Sequence, residues 1–125
     1  MSNKEEKLKQ LRIENNIWVV YIGIIIFSWY SNYLEKNYIL TGNNKIKDEY
    51  RTIIIVIFGI LVLVYFYFLK SSYKDLVSLK DSDTEKKKLL VYFSFLASLL
   101  IFIAGVIFLI IALCDDNLDV ELAFN

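Results

Sequence analysis

The chain has 125 residues, 57% of them apolar, with 14 cations balanced by 14 carboxylates, no histidine, no proline and one cysteine. Without histidine there is no imidazole base, no Ser-His-Asp or Cys-His nucleophile and no histidine metal site, and one thiol makes neither an internal disulfide nor a cysteine zinc site. Four scattered glycines build no phosphate loop or dinucleotide fingerprint, and zero net charge leaves no footprint for nucleic acid, so a non-enzymatic protein with no cofactor and no nucleic-acid partner is expected.

Apolar content is clustered as well as high. Charge-free runs cover residues 15–34, 52–69 and 89–114, lengths of 20, 18 and 26. A water-facing helix of such length carries a polar stripe, and none of the three has a full one. A hydrocarbon core about 30 Å thick takes roughly 20 helical residues. The middle run holds 14 Ile, Leu, Val or Phe residues, and at about −0.3 to −0.6 kcal/mol each their insertion sums to an upper estimate of roughly −4 to −8 kcal/mol. β-Branched residues are frequent, but an open strand in lipid leaves backbone groups unpaired, and the alternation of a β-barrel is missing. The fold expected is therefore an all-α integral membrane protein with three transmembrane helices, a small antiparallel bundle in one membrane domain.

In chain order, residues 1–14 read as a cytoplasmic helical lead-in. Ser2 and Glu5 have capping-box spacing, and Glu5 and Lys9 stand four apart. The first span, 15–34, is long for a signal peptide, and Ser31-Asn32-Tyr33-Leu34 offers no small-x-small cleavage site. Trp18 and Tyr21 at one end, and Trp29, Tyr30 and Tyr33 at the other, suit the headgroup level. Ser28, Ser31, Asn32 and Glu35, at i, i+3, i+4 and i+7, form a polar stripe deepening toward the outer surface. Such a stripe bonds a neighbouring helix or interfacial water, or lines a vestibule if several copies assemble.

Residues 35–51 read as an outer connector in which Thr41-Gly42-Asn43-Asn44 marks a turn, since Gly and Asn tolerate positive φ. The second span is 52–69. Segment 70–88 is the cytoplasmic loop, where Tyr73, Leu76 and Val77 share a face that prolongs the second helix past the membrane. Ser82 and Glu85 again have capping-box spacing and announce the third helix. Lys70, Lys74, Lys86, Lys87 and Lys88 fix topology or meet lipid headgroups, at about 1 kcal/mol per charge near an anionic surface. Tyr65, Tyr67, Tyr73, Tyr92 and Phe93 crowd the same end.

In the third span, 89–114, Ser94, Ala97, Ser98, Ala104 and Gly105 fall mostly on one face, and Gly23 and Gly59 are the small residues of the other two spans. Small residues let helix backbones approach, which is what holds helices together in lipid. They are expected to serve packing within the chain, a homo-oligomer or a larger membrane partner. The tail, 115–125, is acidic and predicted outside. Asp115, Asn117, Asp119 and Glu121 resemble the first ligands of an EF-hand loop, but Val120 stands where the turn glycine belongs, so no metal is expected.

Cations set the orientation. The lead-in and second loop together carry ten, and the first loop and tail four. Lys and Arg favour the cytoplasmic side, which places the N-terminus inside and the C-terminus outside the cell membrane. Richness in Ile, Lys, Asn, Tyr and Phe is what AT-rich codons produce and points to a low-GC bacterium. Two functional classes fit: a membrane accessory or interaction subunit, immunity-type proteins included, and an oligomeric pore former of the holin type. Against the second, holins commonly end in a charged cytoplasmic tail, whereas this tail is acidic and expected outside.

Overall fold

A computed structural model describes residues 3–115. Three helices account for nearly all of them: α1 Asn3–Thr41, α2 Asn44–Val77 and α3 Glu85–Cys114. Each is long and apolar enough to cross a membrane. At 1.5 Å per residue, their 39, 34 and 30 residues extend about 58, 51 and 45 Å. All three are longer than a hydrocarbon core about 30 Å thick. The Ser2–Glu5 spacing and the tail positions Asn117, Asp119 and Glu121 lie outside the described residues.

Segment 35–51, read from sequence as a connector, is helical on both sides of a two-residue break. Gly42 has φ +67° and its N–H bonds Tyr38 O at 2.7 Å, an αL stop that a side chain would strain. Asn43 restarts the chain: its Oδ1 accepts from Lys45 N at 2.8 Å, and its carbonyl accepts from Lys47 N at 3.2 Å. The turn signal in the sequence was local, and the polar residues around it are compatible with helix.

The chain divides into two units, residues 3–53 and 54–115, with the boundary inside α2. In the first, the end of α1 and the start of α2 flank the turn. Tyr50 is enclosed, with 1% exposure, and its hydroxyl donates to Glu35 Oε2 at 3.1 Å. Tyr30 likewise donates to Glu49 Oε1 at 2.9 Å.

In the second unit, α2 contacts α3 in a regular order. Phe58 meets Phe108 (centroids 5.6 Å), Tyr65 meets Gly105, Phe66 meets Phe102 (5.8 Å), Ser72 bonds Ser98 and Tyr73 meets Phe95 (6.1 Å). The enclosed residues of α2, Ile54, Ile57, Phe58, Leu61 and Val64, recur every three or four positions, one stripe of a helix.

The Ser82 cap is corrected: α3 is capped by Thr84. Thr84 is extended (φ −67°, ψ 153°) and its Oγ1 accepts from Lys87 N at 3.1 Å. Ser82 is displaced because Asp83 closes the preceding turn, its Oδ2 accepting from Lys80 N at 2.8 Å and its Oδ1 from Lys87 Nζ at 3.2 Å. Glu85 then sits in the first turn, where the helix dipole favours an acid. Thr84→Ala should cost about 1 kcal/mol by orphaning the Lys87 N–H. Ser82→Ala should stay within about 0.5 kcal/mol. Amide exchange across residues 85–88 reads the difference.

Candidate functional site

Two groups of side chains carry polar chemistry. The first belongs to the turn between α1 and α2. Of the sequence-predicted stripe, Ser31 is fully enclosed, and its Oγ donates to Ser28 O at 2.7 Å. Ser28 Oγ is buried without a hydrogen-bond partner among the described residues. Glu35 is held by Tyr50, two helical turns beyond Asn43. Asn32 faces outward. With Lys36 and Leu40, Asn32 and Glu35 border a shallow open cleft of about 310 Å³. Tyr50 was missed from sequence because a tyrosine among Lys, Asp and Glu gives no sign that it points inward.

The second group lies where α2 ends and α3 begins. Of the five lysines singled out, Lys70 and Lys74 are exposed on α2. The three consecutive lysines behave differently from one another. Lys87 pairs with Asp83 at 3.2 Å. Lys88 reaches Asp81 O at 3.4 Å and Glu85 Oε1 at 3.8 Å. Lys86 has no partner among the described residues. Two bonds with donors, first the Lys80 N–H and then the Lys87 ammonium, lower the Asp83 pKa below the ordinary carboxylate value. Asp83 therefore stays ionised, keeps Lys87 occupied and fixes the entry to α3. An open cleft of about 340 Å³ adjoins this turn, bordered by Asp75, Thr84, Lys86 and Lys87, and further along α3 by Leu90, Val91 and Ser94.

The small residues divide. Gly105 is enclosed: a Cβ there would stand 2.9 Å from Tyr65 Cδ2 and 3.6 Å from Val62 Cγ2. Ser98 Oγ and Ser72 Oγ are 2.8 Å apart, one hydroxyl donating to the other. Both therefore serve contact with α2. Ser94, Ala97 and Ala104 are exposed on α3. At Gly23 and Gly59 a Cβ would meet no atom within 4 Å, so no close approach requires either glycine. Tyr65, grouped from sequence with the headgroup-level aromatics, is the wall against which Gly105 packs.

No protein-family model, no curated protein and no solved structure matches the chain.

Proposed function

We propose that the chain is an integral protein of the cell membrane, three antiparallel helices with the N-terminus inside, acting without catalysis as an accessory or interaction subunit. The membrane reading rests on one observation: α3 is the most apolar helix and the least enclosed. Water would invert that relation, because an apolar helix gains by burial. Among the described residues, thirty large apolar or aromatic side chains are exposed, most of them within the three charge-free runs, whereas soluble monomers rarely expose a contiguous apolar patch larger than a few hundred Å². Lipid is the solvent that suits them. The contact order from Phe58–Phe108 to Tyr73–Phe95 supports the antiparallel arrangement of α2 and α3.

The interaction reading rests on Ala97 and Ala104. They are exposed, whereas Ser98 and Gly105 are used inside the chain. In lipid, small outward residues give another helix a place to approach closely. Ser31 and Glu35 weigh against a pore: one is enclosed and the other is held by Tyr50, so neither is free to line a vestibule.

Affinity purification from native membranes in mild detergent should bring down a membrane partner. Induced expression should leave the membrane potential intact, and abrupt depolarisation would assign the chain to pore formers instead. Cys114 is exposed at the end of α3. A membrane-impermeant thiol reagent should label it on intact cells, and labelling only after lysis would invert the orientation.

A further inference from the structure

We propose that the cleft where α2 ends and α3 begins binds a phospholipid whose headgroup carries an ammonium as well as a phosphate, of the ethanolamine type. This rests on the membrane reading above and adds a specific lipid to it. Asp75 and Lys86 border the same cleft, yet neither pairs with the other or with any other described residue. Two opposite charges left open in one cleft match a ligand that itself carries both. Lys87 and Lys88 are already engaged, the first by Asp83 and the second by Glu85 and the Asp81 carbonyl. Lys86 is thus the one ammonium of the three-lysine run with no partner among the described residues, and the first to meet a phosphate.

Three headgroup classes are separated by this chemistry. A purely anionic headgroup would satisfy Lys86 but face the Asp75 carboxylate as a like charge. A choline headgroup has the right signs but no N–H to donate to that carboxylate. An ethanolamine ammonium donates to Asp75 while its phosphate accepts from Lys86, giving two charge-assisted hydrogen bonds.

The walls follow the same order as the lipid. The charged groups are those of Asp75, Lys86 and Lys87, and Leu90, Val91 and Ser94 continue the cleft along α3. Lys86 to Ser94 spans about 12 Å of helix, enough to pass from headgroup to the first methylenes of an acyl chain.

The test uses the full chain in detergent, stripped of lipid and then given phosphatidylethanolamine, phosphatidylcholine or phosphatidylglycerol with identical acyl chains. Lipid retained per chain is counted by native mass spectrometry. The ethanolamine lipid should be retained about tenfold over the choline lipid, the worth of one hydrogen bond to a charged group. Asp75→Asn should lower its retention to the choline level, and Asp75→Glu should keep the preference. Lys86→Gln should lower retention of both zwitterionic lipids. Soluble phosphoethanolamine at equal concentration should not displace the lipid, because it lacks the chain that Leu90 and Val91 contact.

Equal retention of all three lipids, preference for phosphatidylglycerol, indifference to Asp75→Asn, or displacement by the soluble headgroup would each overturn the proposal. Failure of the membrane reading looks different: the chain would stay monodisperse in plain buffer before any lipid was added.

Discussion

Leu63→Asp should lower the equilibrium constant for membrane insertion of α2 by two to three powers of ten. Leu63 is 71% exposed and lies near the middle of the charge-free run 52–69. If water covered it, the change would be nearly neutral: exposed substitutions stay within about 0.5 kcal/mol, and aspartate adds a similar helix-propensity penalty. If lipid covers it, a carboxylate near the bilayer centre costs about 2.5–3.5 kcal/mol and the leucine's contribution of about 0.5 kcal/mol is also lost.

The total, roughly 3–4 kcal/mol, removes about half of the gross insertion energy of the run. The chain should then distribute between inserted and uninserted forms instead of inserting fully. Leu63→Lys should be milder, since a long side chain can carry its charge toward the headgroups. Leu61 is an unsuitable comparison because it is enclosed, and a charge there is destructive in either solvent. The fraction resistant to alkaline carbonate extraction measures the shift. An unchanged membrane fraction for Leu63→Asp, or better solubility without detergent, would rule out lipid at this face.

The three long apolar helices were legible because absence of charge over 18 or more residues is a one-dimensional signal that needs no partner. Helix ends were harder. Lys36 to Arg51 has the composition of a loop, yet only Gly42 takes a conformation that stops a helix. Charged residues at the end of a long helix look the same in sequence as charged residues in a coil. The cap was ambiguous for a related reason. Ser82 and Thr84 are both good caps, and the Ser82–Glu85 spacing favoured the first. Asp83 decided otherwise through bonds to Lys80 and Lys87 that form only once the turn exists.

Facing was the least legible property. A helix apolar all round does not announce which arc meets its neighbour. Of the small residues singled out in α3, Ser98 and Gly105 meet α2, while Ser94, Ala97 and Ala104, small residues of the same run, are exposed. Size is written in the sequence, but the atom that a small residue makes room for is not. The unpaired charges at Asp75 and Lys86 were hidden likewise, because two neighbours in the lysine run find intramolecular partners and Lys86 does not.

Gly105 is where that distinction has its largest consequence within the fold. A Cβ at this position would stand 2.9 Å from Tyr65 Cδ2 and 3.2 Å from Cε2, so the ring must move before even alanine fits. Alanine gains about 0.8–1.0 kcal/mol of helix propensity over glycine, which offsets a small displacement of the ring, so Gly105→Ala should be close to neutral. Leucine adds three more carbons where Tyr65 and Val62 already stand. Overpacking of that kind costs about 1–3 kcal/mol. Lipid supplies no compensation, because a leucine side chain is as well accommodated by acyl chains as by a helix interface.

Gly105→Leu should therefore destabilise the α2–α3 contact by about 2 kcal/mol in reversible unfolding by mixed micelles. Gly59→Ala, where nothing lies within 4 Å of the new carbon, should instead stabilise by about 0.5–1 kcal/mol. Truncating the wall isolates the cause. In the double variant Gly105→Leu with Tyr65→Ala, the leucine enters the space the ring occupied, and the two changes should compensate rather than add. Additive losses would mean that Tyr65 does not limit the approach of α3, and equal effects of leucine at Gly59 and Gly105 would mean that the two helices do not meet at Gly105 at all.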